Sequence, residues 1–272
     1  MKEAWLVLLE QFKNFRVINR LAKYDEKSNF QAHFLGAIWQ ILDPAINIAI
    51  YWFVFGTILY GGRLIDNYTY IVWLLPGFIA WQFMRSEILG ASKSMVQRVQ
   101  MVSKMRFPVS TIPSMTLANQ LINYWWMLGI SVAIMLLYGV RPSVYWIQFV
   151  YYFICMIAFL YAMGLLTSTI TVVVRDFHTL LNSAMQLMFW VSGTIFNFRA
   201  NAVMVNHPYI MKIIEINPFY YVINGMRDAF LGRAWFFNDV KAVIIFWSIT
   251  LIIWIVGSHI HLKFRSRFVD YI

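Results

Sequence analysis

The stretch PSVYWIQFVYYFICMIAFLYAMGLLTSTITVVV, Pro142 to Val174, contains no charged residue. A hydrocarbon core of about 30 Å is crossed by roughly 20 helical residues, so this stretch is long enough to span a membrane. The composition of the chain agrees, because 61% of its residues are hydrophobic and only 12% are charged. An ordinary soluble domain has about 25% charged residues. The sequence therefore predicts an integral membrane protein.

Five other intervals without Asp, Glu, Lys or Arg lie on either side of this stretch. They are Pro44–Gly62, Asn67–Met84, Phe107–Val140, Phe177–Phe198 and Ala242–Leu262. Together the intervals predict an all-α fold with six transmembrane helices in a single domain, residues 31–272. Pro108, Pro113 and Pro142 stand where the third and fourth helices would begin, which is a favourable position for proline.

The basic residues indicate the orientation of the chain. Lys and Arg are concentrated in the N-terminal segment, in the second and fourth connections and in the tail, which predicts that both termini are cytoplasmic. Residues 198–240 then lie outside the cell. Tyr209–Ile216 and Phe219–Met226 in this segment are apolar but too short to span, so we expect short re-entrant helices there.

Residues 1–30 have the pattern of an amphipathic helix. Its large apolar residues recur at helical spacing and its basic residues lie off that stripe, which is typical of a helix at a membrane interface. The apolar residues are Trp5, Leu8, Leu9, Phe12 and Phe15, and the basic ones are Lys2, Lys13, Arg16 and Arg20. A helix that packs on a partner protein is the alternative. We expect no signal peptide, because the first residues lack a continuous apolar core.

Several chemistries are absent from the sequence. It contains no G-x-x-x-x-G-K-[ST] loop, no H-E-x-x-H and no G-x-S-x-G, so we expect no enzymatic activity and no bound nucleotide in this chain. Cys155 is the only cysteine, and the histidines show no metal-ligand spacing, so no metal or cofactor is predicted. The net charge of +10 is explained by basic residues beside apolar spans and does not indicate nucleic-acid binding.

The connection between the second and third spans, residues 90–111, carries the sequence MVQRVQMVSKMRFPVSTIPSM around it, from Met95 to Met115. Its apolar residues at helical spacing, beside Lys104 and Arg106, resemble the coupling helix by which ABC exporters dock on a separate ATPase. Three more segments resemble the type-2 ABC exporters of the polysaccharide branch. They are FQAHFLGAIWQILDPAINI from Phe30, VVVRDFHTLLNSAMQLMFWVSGTIFN from Val172 and INPFYYVINGMRDAFLG from Ile216.

Within that branch the chain looks most like the membrane subunit of wall teichoic acid exporters. The resemblance implies a homodimer of this chain in the bacterial plasma membrane, joined to two ATP-binding subunits that hold ATP and Mg. The implied activity is outward movement of an undecaprenyl-diphosphate-linked, anionic polymer. Exporters of O-antigen or capsular polysaccharide share these features, and a membrane scaffold protein without a transport path is the alternative from another class.

Three groups of candidate residues follow. The resemblance assigns ATPase coupling to Met101, Lys104, Met105, Arg106, Phe107 and Pro108. Polar and aromatic residues at helical spacing on the first and fifth helices would line a translocation path, because they suit the hydroxyls and ring faces of sugars. They are Gln40, Asp43, Asn47, Tyr51, Ser183, Gln186, Trp190, Thr194 and Asn197. The alternative is that they join helices by hydrogen bonds within the bilayer.

The third group is Arg16, Arg20 and Lys23, which we expect to bind a lipid-diphosphate headgroup because they lie just before the first span. The competing interpretation is that these residues only contact anionic lipid or set the topology of the chain.

Overall fold

The computed structural model describes residues 2–31, 36–59, 61–104, 108–174, 176–198 and 206–265. Within these ranges the regular structure is helical, apart from a bridge between Ile65 and Tyr68. The α-helices are α1 Lys2–Gln31, α2 Trp39–Tyr51, α3 Tyr70–Lys104, α4 Ile112–Leu137, α5 Phe149–Val173, α6 Phe177–Val191, α7 Pro208–Ile216, α8 Pro218–Leu231 and α9 Val240–Phe264. A π-helical segment, Trp52–Leu59, continues α2.

Three helical segments of the described chain are long and apolar enough to cross a membrane. They are Val109–Leu137, Val144–Val173 and Phe236–Phe264, and Pro44–Leu59 is a shorter apolar helix. These segments agree with the predicted membrane protein. The arrangement of six spans and the orientation of the termini remain predictions.

The core forms where α3 and α5 pack on each other and on α4, α8 and α9. Trp73 and Trp81 of α3 and Phe159 of α5 are almost completely buried in it. Helix α8 is buried along nearly its whole length. Gly225 of α8 lies against the ring of Tyr152, which leaves no space for a β-carbon at that position.

The ends of α8 are fixed by local sequence. The Oδ1 atom of Asn217 accepts a hydrogen bond from the backbone N–H of Phe219 at 3.0 Å, and Pro218 occupies the first turn. Gly232 ends the helix with a φ of 65°, a conformation that glycine adopts without strain. The sequence thus explains why two short helices, α7 and α8, stand where short helices are predicted. Their depth in a membrane remains a prediction.

Helix α6 is shorter than the predicted fifth span, Phe177–Phe198, because it ends at Val191. Gly193 has a φ of 70°, and the backbone turns there. The prediction that Thr194 and Asn197 continue one helical face with Ser183, Gln186 and Trp190 is therefore wrong. Gly193 lies in the sequence between Trp190 and Thr194, within the periodic pattern, and glycine commonly ends a helix.

Residues 90–111, which the sequence predicts as a connection between two spans, are mostly helical in the structure. Helix α3 continues through them to Lys104, and after Pro108, the next described residue, Val109–Thr111 form a 3-10 turn that leads into α4. Most of the segment is therefore an extension of the second span's helix rather than a separate loop. Its residues have good helix propensity and contain no proline before Pro108, which explains the continuation.

Helix α1 confirms that residues of the N-terminal arm are helical, and it shows which face packs. Ala4, Val7, Ile18 and Ala22 are buried, and the helix contacts α4 and α9. Four large apolar residues of the predicted stripe, Trp5, Leu9, Phe12 and Phe15, are exposed, and Phe12 is 76% exposed. Leu8 and Phe12 line an apolar pocket together with residues of α5 and α9.

Candidate functional site

A groove of about 340 Å³ lies between α2, α3 and α6. It brings together four of the predicted path residues, Asn47 and Tyr51 from α2 and Gln186 and Trp190 from α6. Asn47 and Tyr51 are four residues apart and so are Gln186 and Trp190, so each pair lies on one face of its helix. The spacing therefore predicts these four residues of the two walls, but not Phe189, which α6 also contributes.

The third wall comes from α3, which the sequence analysis did not assign to the site. Phe78, Trp81, Gln82 and Arg85 of this helix line the groove. They recur at steps of one helical turn, so a search for polar and aromatic residues on one face of the second span would have found them. Arg85 was overlooked for a different reason, because it ends the charge-free interval at Met84 and was read as a boundary.

Aromatic rings form one side of the groove. Tyr51 lies 5.4 Å from Phe189 and 5.5 Å from Phe78, measured between ring centroids, and Trp81 lies 5.5 Å from Phe189. These are the separations at which aromatic rings pack favourably. The amides of Asn47, Gln82 and Gln186, which also line the groove, supply hydrogen-bond donors and acceptors. The lining therefore combines flat apolar surfaces with neutral polar groups.

The groove has one charged end. The Nη2 atom of Arg85 lies 3.4 Å from Oδ1 of Asn182 on α6, a long hydrogen bond. Arg85 lies nearer the Lys104 end of α3 than Phe78 does, and Asn182 lies nearer the start of α6 than Trp190 does. Because α3 and α6 run in opposite directions here, Arg85 and Asn182 mark one end of the groove and Trp190 lies toward the other.

The remaining predicted path residues are not in this lining. Ser183 is exposed and donates to the carbonyl of Thr179, one turn back on the same helix, at 3.2 Å. Thr194 is completely buried, and its hydroxyl lies 2.8 Å from that of Ser192. Asn197 follows the turn after α6 and is absent from the residues that line the groove. Gln40 and Asp43 belong to α2, but their side chains lie outside the described part.

A smaller cavity of about 160 Å³ lies between α2, α3 and α4. Gln82 of α3 lines both this cavity and the groove. Asn123 of α4 presents a buried Oδ1 atom with no hydrogen-bond partner in the described structure. The polar lining of the bundle therefore extends beyond the groove itself.

The predicted coupling residues are only partly described. Met101 and Lys104 lie in the last turns of α3, but their side chains are outside the described part, as are residues Met105, Arg106 and Phe107 entirely. Pro108 is described, has extended backbone and precedes the turn Val109–Thr111. Docking of these residues on an ATPase remains a prediction.

The turn after Pro108 is held to the arm. Ser110 donates a short hydrogen bond to Oε2 of Glu10, and Gln11 Nε2 donates to the carbonyl of Ser110 at 3.0 Å. The other carboxylate oxygen of Glu10 pairs with Nη1 of Arg265 at 2.7 Å, just beyond α9. Glu10 thus joins α1, the turn before α4 and the end of α9 at one point.

The predicted headgroup residues lie on the same arm. Arg16 and Arg20 are both exposed, and the side chain of Lys23 is outside the described part. The groove lining includes neither arginine. Within the described ranges no group of three His, Cys, Asp or Glu residues is arranged to hold a metal ion.

Comparison with known proteins places these features in a family. Residues 17–231 match the model of the family described as ABC-2 type transporter. Two proteins of Klebsiella pneumoniae named O-antigen export system permease protein RfbA are each 24% identical over 258 residues, which is 94% of this chain and 95% of theirs. A protein of the same name from Myxococcus xanthus is 20% identical over 65% of this chain and 66% of its own length.

The family match includes the second half of α1, the groove walls and both short helices, α7 and α8. It therefore spans every element that forms the candidate site. The chain belongs to the ABC-2 type transporter family.

Proposed function

We propose that this chain is the membrane subunit of an ATP-driven exporter that moves a lipid-linked polysaccharide of the O-antigen type out of the cytoplasm. The observation that carries the proposal is the groove between α2, α3 and α6, whose walls are aromatic rings and neutral amides. Sugars present hydroxyl groups to such amides and ring faces to such aromatic side chains. Family membership and the names of the relatives support the same substrate class.

The findings favour O-antigen over teichoic acid, which the sequence analysis placed first. The relatives reported above are named for O-antigen export. The groove supports the same choice on physical grounds, because Arg85 is the one charged side chain among the described residues of its lining. A polymer with a phosphate in every repeat would be better matched by basic residues along the whole groove. Capsular polysaccharide remains the second candidate.

Energy for transport would come from a separate ATP-binding subunit. Membership of the ABC-2 family supports such a partner for this chain, and it supports a place for this chain in the bacterial inner membrane. We propose two copies of each subunit, with the partner holding ATP and Mg and docking near residues 101–108. The alternative of a scaffold protein explains the helical bundle but gives no role to a groove with polar and aromatic walls.

Deletion and complementation test this function. A strain without the chain should lose surface polysaccharide and accumulate the lipid-linked polymer inside, where chemical analysis of the polymer identifies its repeat. The variant with both Gln186→Ala and Trp190→Ala should restore export poorly, because it removes a hydrogen-bonding group and a ring face from the groove. Ile252→Ala on α9, which is 61% exposed and does not line the groove, is the matched control. Normal surface polysaccharide in the deletion strain would refute the proposal.

A further inference from the structure

Arg85 is an unusual residue for its position. It is half-buried on α3, and among the described side chains its hydrogen bond is the long contact of 3.4 Å to Asn182. Among the side chains that the structure describes, no carboxylate forms an ion pair with it. A positive charge held within a membrane protein without an opposite charge is costly. Such a residue is retained where a ligand or a function compensates for the cost.

The groove residues around Arg85 indicate which ligand would compensate for the cost of its charge. The described lining of the groove has no acidic side chain, and its other polar groups are the neutral side chains of Asn47, Tyr51, Gln82 and Gln186. Among these described residues, an anion in the groove would meet one full positive charge and several hydrogen-bond donors. The guanidinium group presents parallel N–H donors that match two oxygens of a phosphate.

We infer that Arg85 binds a phosphate or diphosphate group of the exported molecule at the Asn182 end of the groove, while the aromatic and amide walls take the adjoining sugars. This inference rests on the proposed function and names the residue that recognises the anionic part of its substrate. It also places that recognition inside the bundle, away from Arg16 and Arg20, which lie exposed on α1.

The number of basic side chains in the described groove lining indicates which phosphate of the exported molecule Arg85 binds. With one arginine in the described lining, the groove is matched to one anionic group at a time. The linkage between a lipid carrier and its glycan provides such a single group, whereas phosphates repeated along a polymer would meet no further cation than Arg85 in the described lining. The inferred ligand is therefore a polyprenyl-diphosphate glycan, and its diphosphate makes the contact.

Binding to the purified complex of this chain and its ATP-binding subunit tests the inference. Tryptophan fluorescence in nanodiscs of neutral lipid reports occupancy, because Trp81 and Trp190 line the groove. The probe is a short polyprenyl-diphosphate oligosaccharide. Arg85→Gln should weaken its binding about ten- to a hundredfold, as expected for loss of a charge-assisted bidentate contact, and Arg85→Lys should weaken it less. The matched polyprenol glycan without phosphate should bind the wild type and Arg85→Gln equally.

Comparison probes separate the sources of the anion. Inorganic pyrophosphate and a phosphate-repeat oligomer without lipid are tested on the same variants, and anionic phospholipid is added to the nanodiscs in a further arm. If phospholipid competes with the probe at its ordinary membrane concentration, Arg85 is a site for bulk lipid and the inference is wrong. Tighter binding of the phosphate-repeat oligomer than of the lipid-linked probe would also overturn it.

The arm provides the decisive control. The variant with Arg16→Gln and Arg20→Gln should bind the probe as the wild type does. If this variant loses binding and Arg85→Gln does not, the anion site lies on the arm. If the wild type binds no lipid-linked glycan at all, the proposed function fails together with the inference. If the wild type binds the probe and Arg85→Gln binds it equally well, only the inference fails.

Discussion

Arg227 shows how a single buried residue connects the elements beside the groove. Its guanidinium donates to the carbonyls of Trp73, Gly193 and Thr194 at 3.1, 2.7 and 2.6 Å, and it lies over the ring of Trp73. These contacts fix the backbone after α6 to α3 and α8. Because α6 forms one wall of the groove, Arg227 positions that wall without lining the groove itself.

We predict that Arg227→Lys destabilises the protein although it keeps the charge. A lysine ammonium lacks the planar fork that reaches carbonyls on two elements, so buried acceptors would lose their donors. We expect a loss of about 2–4 kcal/mol in the free energy of unfolding, seen as a lower thermal midpoint by tryptophan fluorescence in detergent. Arg63→Lys, at an exposed position, is the control. Equal midpoints for the two variants would show that the carbonyl contacts do not stabilise the fold.

The same residues show what the sequence could and could not predict. Spacing on one helix identified Asn47 and Tyr51, and likewise Gln186 and Trp190, because residues four apart share a face. It could not show that these faces meet, nor that α3 supplies the third wall, because that depends on how the helices pack. Arg85 was overlooked since a scan for uncharged spans treats any charge as an end, although a charge within a bundle is informative.

At the scale of elements, α1 is a helix fastened to the bundle at several places. Glu3 contacts His259 of α9 at 2.9 Å, and Asn119 of α4 donates to the carbonyl of Ala22 at 3.2 Å. Between them, Glu10 bridges Ser110 and Arg265. The amphipathic pattern predicted the helix but not the face that packs on the bundle, where Ala4, Val7, Ile18 and Ala22 are buried.

We predict that Glu10→Ala loosens this fastening. Removal of the shared acceptor leaves the Ser110 hydroxyl and Arg265 without their bonds to Glu10, and among the described hydrogen bonds only that of Gln11 still joins Ser110 to α1, so the helix should separate from the bundle more often. A cysteine at Val7, which is completely buried, reports the separation through its rate of labelling by a maleimide in detergent after Cys155 is replaced by alanine. The labelling rate should rise several-fold in Glu10→Ala.

A cysteine at Phe12, already 76% exposed, should label at the same rate in both backgrounds. If labelling at Val7 is also unchanged, the contacts of Glu10 do not hold the arm. Because Ser110 follows the predicted coupling segment by two residues, a loosened arm would further predict weaker coupling between ATP hydrolysis and export.

At the scale of the whole molecule, the groove is open on one side. Helices α2 and α6 border it and carry large exposed apolar residues, including Ile46 and Ile50 on α2 and Leu187 and Val191 on α6. One chain therefore provides part of a wall rather than an enclosed conduit for a polymer. Two copies that face each other across α2 and α6 would cover these apolar surfaces and enclose the grooves between them, as proteins with self-complementary surfaces do in two-fold dimers.

This arrangement predicts crosslinks between copies along α6. With Cys155 replaced by alanine, Leu187→Cys and Val191→Cys should each form a disulfide or a short bis-maleimide link to a second copy in membranes, because residues near a two-fold axis approach their own equivalents. The covalent dimer is detected by its doubled mass on a denaturing gel, and it should form whether or not the ATP-binding subunit is present. Ile252→Cys is equally exposed but lies on α9, which packs on α5 and α1, and it should remain a monomer. If the α9 position crosslinks and neither α6 position does, the copies meet through another face, and the path cannot be built from two facing grooves.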